Sequence, residues 1–98
     1  MKLATVVRRN LPDFIGVAHH IRVVPPIKAK GLWTQNIVVS AVQTTFDQRP
    51  EVLAFPADGS GEVTSYREVF GARDTFNWKE LLEDNGYTIK ESRHANHN

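Results

Sequence analysis

The chain has 98 residues and a formal net charge of +1, with 41% apolar and 23% charged residues, which is the composition of one ordinary globular domain. It contains no cysteine, which excludes disulfide bonds, thiolate zinc sites and cysteine nucleophiles and fits a reducing compartment. No apolar run approaches the ~20 residues of a membrane-spanning helix, and the N-terminal segment lacks the pattern of a signal peptide. We therefore expect a soluble cytoplasmic protein with no membrane association.

The positive charge is concentrated in the first half of the chain. Residues 1–50 contain seven basic and two acidic residues, a net charge of +5, whereas residues 51–98 contain five basic and nine acidic residues, a net charge of −4. Such an asymmetry can indicate a basic binding face. The alternative is that the two halves fold together and that their fields largely cancel.

Two β-strands are predicted near the N-terminus. Residues 2–9 (KLATVVRR) and 17–24 (VAHHIRVV) are rich in β-branched residues, and a short segment containing proline and glycine joins them. The two strands are close enough in sequence to form an antiparallel hairpin. The pair Pro25-Pro26 is predicted to end the second strand, because proline cannot donate to a ladder.

The middle of the chain is predicted to contain an exposed loop and then two strands. Residues 25–36 (PPIKAKGLWTQN) form the longest stretch without clear periodicity, which favours a loop. Residues 37–46 (IVVSAVQTTF) begin with three apolar residues, which predicts a central strand covered on both faces. After a turn at 47–50, residues 51–55 read as a further strand, and Pro56 indicates that its end lies at an edge or rim.

The stretch FPADGSGEVTSY (55–66) is compatible with a ligand-binding loop or with a simple turn. A calcium loop needs alternating oxygen ligands and a distal glutamate, and a phosphate loop needs a lysine followed by serine or threonine; neither set is complete here. Gly59 and Gly61 can adopt positive φ without a Cβ penalty. We predict a tight turn between the strand 51–55 and a strand-like segment at 62–66.

Two helical segments are predicted in the last third of the chain. Ser65 and Glu68 have the spacing of a capping box, and Gly71 stands where a helix would stop, which predicts one or two helical turns over 65–71. A longer helix is predicted over residues 77–85.

The helix at 77–85 carries start and stop signals at both ends. Asn77 is placed to cap its first turn, and Phe76 and Leu81 have the spacing of a hydrophobic staple. Gly86 is placed to end it. One face forms an apolar stripe with Trp78 as its anchor, made of Trp78, Leu81 and Leu82.

These elements predict an α+β fold, with an antiparallel sheet of four to six strands and one short C-terminal helix packed on it. A last strand is expected at 87–91. Residues 1–91 would form the single domain, and the polar residues 92–98 would form a flexible tail.

The four histidines are the side chains most suited to chemistry. His19 and His20 are adjacent on a predicted strand and point to opposite faces, so they cannot chelate one metal ion through that strand. We expect His19 to be half-buried and hydrogen-bonded, and His20 to face solvent or to make a binding contact. His94 and His97 would share a face only in a helical tail, which the sequence does not favour.

No pattern in the sequence indicates catalysis. There is no nucleophile elbow, metalloprotease motif, dinucleotide fingerprint or phosphate-binding loop. Ser40 lies inside the predicted central strand, which is a poor position for a nucleophile. We therefore expect a non-enzymatic protein with no catalytic residues, no metal site and no cofactor.

Residues 25–36 favour a protein-binding surface, because apolar side chains among lysines make a good contact area. The predicted contact residues are His20, Arg22, Lys28, Lys30, Leu32 and Trp33. An alternative role for Trp33 is to cover the start of the next strand. The sheet edges offer a second route, by strand addition to a partner or, in a homodimer, to another copy of the chain.

Nucleic-acid binding is the alternative function. A basic surface with one stacking ring would be formed by Arg8, Arg9, Arg22, Lys28 and Lys30 together with Trp33. The near-neutral overall charge and the absence of a known nucleic-acid motif argue against it.

The chain also resembles small accessory proteins of actinobacterial tailed phages over residues 37–89. The resemblance rests on the strand IVVSAV, on PEVLAFPADGSGEVTSYREVFG and on FNWKELLEDNGYTI. It implies a gene product that acts inside a bacterial host by binding a host protein. The resemblance supplies no catalytic residues.

Overall fold

The structure is a computed structural model that describes residues 2–12, 16–29, 31–42, 51–73 and 77–91. The predictions for the turn at 47–50 and the tail at 92–98 lie outside the described residues. Six strands and one helix are present in chain order: β1 (Lys2–Arg8), β2 (Val17–Ala29), β3 (Leu32–Val42), β4 (Glu51–Ala57), β5 (Phe70–Arg73), α1 (Trp78–Asp84) and β6 (Tyr87–Glu91).

The strands form one sheet in the order β5-β4-β3-β2-β1-β6. All neighbours are antiparallel except β1 and β6, which are parallel. The predicted α+β class is confirmed, as are the hairpin of β1 with β2 and the central position of β3. The helix lies in sequence between β5 and β6, which are the two edge strands of this order.

One face of the sheet packs against α1 and holds the main core. Alternate residues of four strands turn inward here, as the two-residue period of a strand requires. Each large apolar side chain buried in this way stabilises the fold by roughly 1.5–3 kcal/mol. The buried residues are Ala4, Val6, Ile21, Val23, Ile37, Val39, Ala41, Val52 and Ala54 from the strands, with Trp78, Leu81, Leu82 and Tyr87.

The helix has the boundaries and the anchor that its sequence predicts. The side chain of Asn77 accepts a hydrogen bond from the backbone N–H of Glu80 at 3.1 Å, which satisfies one free donor of the first turn. Gly86 follows the C-cap with φ of 90°, a conformation that glycine adopts without strain. Trp78 is buried against the sheet. Phe76, the other half of the proposed staple, lies outside the described residues.

The sheet curls around this core. Phe70 on the edge strand β5 stacks with Tyr87 on the opposite edge strand β6, with ring centroids 6.4 Å apart. Because residues at opposite ends of the strand order meet, the sheet bends into a partly closed barrel on the helix side. One helix of seven residues is therefore sufficient to cover this face.

The outer face of the sheet carries a smaller apolar cluster. Leu11, Ala18, Val38 and Ala57 are buried together, and Val63 packs against them. Loop segments rather than a helix cover this part of the sheet. Among the described residues, no helix is long and apolar enough to cross a membrane.

The stretch 58–62 is a tight turn, as the sequence predicts. The N–H of Gly61 donates to the carbonyl of Asp58 at 3.0 Å, and the N–H of Asp58 donates to the carbonyl of Glu62 at 2.9 Å. The strand-like segment expected at 62–66 is reduced to a single bridge between Ala57 and Val63.

The helical turns predicted over 65–71 are wrong. Ser65 Oγ accepts the N–H of Arg67, two residues ahead, at 3.2 Å, so it closes a local turn instead of capping a helix. Phe70 then begins β5 and pairs with Ala54. The capping-box spacing was present, but tertiary pairing with β4 determines the conformation.

The exposed loop predicted over 25–36 is also wrong. β2 continues through the two prolines to residue 29, and β3 begins at Leu32 after a turn in which Gly31 has φ of 80°. Between the pairs Arg22–Asn36 and Ile27–Thr34, four residues of β2 stand opposite one residue of β3. Pro25 and Pro26 lie in this irregularity, where their missing N–H groups break no ladder bond.

Candidate functional site

The hairpin of β2 and β3 extends beyond the rest of the sheet at one end. β1 pairs with β2 only as far as Val24, and β4 pairs with β3 only as far as Asn36. The described residues 25–29 and 31–35 therefore pair only with each other, and we name them the hairpin arm. Ile27 packs against the helix-side core and anchors the base of the arm.

The arm exposes two large apolar side chains near its tip. Leu32 is 75% exposed and Trp33 is 68% exposed. The ammonium group of Lys28 lies 5.9 Å from the centre of the Trp33 ring, a cation–π distance. Trp33 does not cover the start of β3, so the alternative role for this residue is wrong.

A groove of about 460 Å³ runs beside the arm. One side is formed by residues 32–34 of the arm. The end of β4 and the segment after the turn form the rest, through residues 56–58 and through Thr64, Ser65 and Arg67. The exposed indole and the leucine of the arm therefore border a concave surface, which is the shape that a binding site needs.

The groove exists because the chain leaves the line of β4 at Asp58. Asp58 Oδ1 accepts three hydrogen bonds, from Ser60 N–H at 2.9 Å, Ser60 Oγ at 2.6 Å and Glu62 N–H at 3.1 Å. The hydroxyl bond of Ser60 and then the backbone bond of Glu62 lower the pKa of this carboxyl. The Asp58 charge is therefore engaged inside its own turn.

Thr34 closes the ladder between β3 and β4 at the start of the groove. Its hydroxyl accepts the N–H of Asn36 at 3.2 Å and lies 2.8 Å from the Asn36 carbonyl and 3.1 Å from the Ala57 carbonyl. A side chain thus replaces the direct backbone bond between the two strands. Beyond this point, β3 runs on without a described neighbour on the side of β4.

The lining of the groove carries one positive and one negative side chain, Arg67 and Asp58, and Lys28 adds a positive charge beside Trp33. Lys28 and Arg67 are exposed, and neither forms an ion pair among the residues that the structure describes. The Asp58 carboxylate accepts the hydrogen bonds of its own turn, so Lys28 and Arg67 are the charged groups left to meet acidic side chains of a partner.

Of the six predicted contact residues, the structure brings Lys28, Leu32 and Trp33 together at the arm. Arg22 is exposed but stands before the irregularity in β2, in register with Asn36, and does not line the groove. Lys30 lies outside the described residues.

His20 does not reach the surface, so the expectation that it faces solvent is wrong. It is only 2% exposed, and its Nε2 lies 2.8 Å from Asn36 Oδ1. Gly61 covers the ring so closely that a Cβ there would lie 3.0 Å from Nδ1. His20 supports the turn from below and cannot touch a partner directly.

Seven of the nine groove residues were not predicted from the sequence, namely Thr34, Pro56, Ala57, Asp58, Thr64, Ser65 and Arg67. These residues form a groove because β4 ends at the turn ADGSG, whereas β3 extends beyond its last pair with β4. The sequence alone does not reveal this difference, because it depends on the register of β3 with β4.

His19 lies on the opposite face from His20, as predicted. Its Nδ1 accepts the N–H of Asn10 at 3.1 Å, and its ring centroid is 4.9 Å from that of Trp78. Burial, and then the positive charges of Arg9 and Lys79, lower the pKa of His19 from 6.5 to about 4. The imidazole is therefore neutral at pH 7 and belongs to the core.

Within the described ranges, no group of three or more histidine, aspartate or glutamate side chains is placed to hold a metal ion. His94 and His97, for which the sequence does not favour a metal site, lie outside those ranges.

Comparison of the chain with protein-family models, with curated proteins and with solved structures gives no significant match. The argument for function therefore rests on the geometry of the arm and the groove.

Proposed function

We propose that the protein is a non-enzymatic binding module that uses the hairpin arm and its groove to bind another protein. The observation that carries this proposal is the exposure of Leu32 and Trp33 beside a concave surface. Single exposed apolar residues are common, but an indole and a leucine that share a rim with a groove are typical of an interaction site. Tryptophan is also among the residues that most often dominate binding energy.

The partner we propose is an acidic protein of a bacterial host. The free positive charges of Lys28 and Arg67 favour acidic groups across the interface. The resemblance to phage accessory proteins makes a host protein in the bacterial cytoplasm the expected source.

The test compares the wild type with the double variant Trp33→Ala/Lys28→Glu. Both proteins are immobilised and exposed to an actinobacterial lysate, and the proteins retained only by the wild type are identified, purified and titrated. We expect the double variant to bind at least about tenfold more weakly, because a tenfold change corresponds to only ~1.4 kcal/mol.

The matched control is the double variant Tyr66→Ala/Lys90→Glu. It also removes one exposed aromatic ring and reverses one exposed lysine, but neither residue lines the groove. We expect it to bind like the wild type. Unchanged binding by the arm variant, or equal loss by both variants, would contradict the proposal.

Nucleic-acid binding has one specific observation in its favour. Lys90 of β6, Thr5 of β1 and Arg22 of β2 are in register across the outer face, and both cations are exposed. The stacking ring does not join this row, since Trp33 lies beyond the Lys2 end of β1 and Arg8 lies at the other end.

A gel-shift series in rising salt separates the two candidates. If Lys90 and Arg22 contact phosphates, the affinity for nucleic acid should fall steeply as the salt concentration rises. No shift at low salt would remove the nucleic-acid candidate, and the protein-binding proposal predicts that result.

A further inference from the structure

We infer that the arm binds its partner by strand addition: an extended segment of the partner pairs with the free edge of β3, in the line that β4 leaves after Ala57. This inference rests on the proposed function, and it names how the arm would bind and what chemistry it would select. Its first support is the direction of the backbone groups along β3.

The backbone of Asn36 shows which groups point toward the groove. Its N–H bonds the Thr34 hydroxyl, and that hydroxyl also reaches the Ala57 carbonyl of β4. The backbone polar groups of Asn36 therefore face the side of β4. Toward the tip, beyond the irregular register of β2 with β3, Leu32 pairs with Ala29 across a two-residue connection, and the residues that flank such a connection bond each other's backbone groups. The backbone groups of Leu32 and, two residues on, Thr34 therefore face β2, and those of Trp33 face the open side of the arm.

No described segment occupies this side of the arm. The register of β4 with β3 ends at the pair Ala57–Asn36. The N–H of Asp58 then donates to the carbonyl of Glu62, and the carbonyl of Asp58 accepts the N–H of Gly61, so both groups are used within the turn. The turn is satisfied by its own hydrogen bonds and leaves the line of β4 open beside residues 32–35.

The other edge of the arm is partly blocked against strand addition. Pro25 and Pro26 stand on the β2 side, beyond the last pair that β2 makes with β1. Proline has no N–H to offer, and it is a common device against pairing at an edge. The β3 edge has no proline, so a partner strand is directed to the side of the arm that carries the groove.

The groove also selects the side chains of the partner strand. Leu32 lies on one face of the arm, and Trp33 lies on the other face with Lys28. An extended segment that alternates apolar and acidic residues can place its apolar side chains on the Leu32 face and its acidic side chains on the Lys28 face. Pairing with residues 32–35 requires a stretch of about four residues, which spans ~13 Å.

The probe for the test is a synthetic six-residue peptide of alternating valine and glutamate. Hydrogen exchange is followed by NMR on the whole, ¹⁵N-labelled protein. At saturating peptide we expect the amide of Trp33 to exchange at least about tenfold more slowly. The amides of Leu32 and Thr34 already pair inside the arm and should change little. A version with lysine in place of glutamate should bind much more weakly.

Two N-methylated peptides provide the matched control, because they keep every side chain and leave the protein unaltered. One is methylated on the odd residues and the other on the even residues. Strand addition predicts that one set loses at least about tenfold in affinity and that the other loses little, since only alternate N–H groups face β3.

Equal losses with both methylated sets, or protection without alternation, would overturn strand addition. The proposed function would survive that result if Trp33→Ala still weakened binding of the captured host protein. No binding of the unmethylated peptide, together with concentration-dependent protection of the Trp33 amide, would show that a second copy is the occupant and would also overturn the inference.

Discussion

The helix-covered sheet and the hairpin arm share strands β2 and β3, yet they are stabilised in different ways. In the covered part, residues such as Ile21 and Val39 are fully buried and pack against α1. In the arm, the strands pair only with each other and present Leu32 and Trp33 to solvent. Packing therefore fixes the first region, while strand pairing and the anchor at Ile27 hold the second.

In the hairpin of β2 and β3, the part that packs against α1 therefore provides stability, and the arm provides the surface for recognition. A change in the covered part should lower the free energy of unfolding, whereas a change to an exposed side chain of the arm should leave it almost unaltered and act on binding.

The largest expected difference between the covered part and the arm comes from replacing each of the two tryptophans separately. Trp78→Ala takes away the helix anchor, and we expect it to lower the free energy of unfolding by about 3–5 kcal/mol. Trp33→Ala removes an exposed ring and should cost less than about 1 kcal/mol. Urea denaturation followed by circular dichroism measures both. Similar losses for the two variants would mean that the arm is part of the core.

A second way is acidification, which acts on His19 in the covered part. Its pKa is about 4 in the folded state and 6.5 in the unfolded state. The unfolded chain binds the proton first, so the stability is fully present above about pH 6.5 and falls as the pH drops toward 4. The loss should reach up to about 3 kcal/mol.

His19→Gln provides the control for acidification, because the amide oxygen can still accept the N–H of Asn10 but does not titrate. The variant should lose stability less steeply between pH 6.5 and 4. Parallel pH curves for the two proteins would show that other groups cause the acid sensitivity.

A third, smaller effect compares two glycines with similar backbone angles. Gly61 has φ of 89° and lies against His20, whereas Gly31 at the arm turn has φ of 80° and no neighbour within 4 Å of an added Cβ. Gly61→Ala should cost about 2 kcal/mol and Gly31→Ala about 1 kcal/mol, since only the first adds a contact to the backbone strain. Thermal unfolding measures the order, and the reverse order would contradict the placement of His20 beneath the turn.

The parts of the fold that the sequence predicts are those with complete local signals. The helix carries its own cap at Asn77, an apolar stripe and a glycine stop, and its boundaries are correct. Strand β3 is readable because three consecutive apolar residues require cover on both faces.

The parts that it does not predict depend on contacts between distant residues. Pro25 and Pro26 indicate a strand end locally, but pairing of Lys28 with Trp33 carries β2 past them. The pattern of its own strand places His20 on the polar face, and the turn around Gly61 buries it there. The arm residues were singled out by composition, whereas the groove beside them follows from the register.

The parallel pairing of β1 with β6 affects when the protein can fold during its synthesis. Lys2 meets Tyr87, so the sheet cannot be completed until translation has delivered its last strand. Contacts so far apart in sequence slow folding, and a ribosome adding about 5–20 residues per second needs several seconds to make the intervening chain. During that interval the edge of β1 that will bind β6 has no partner strand.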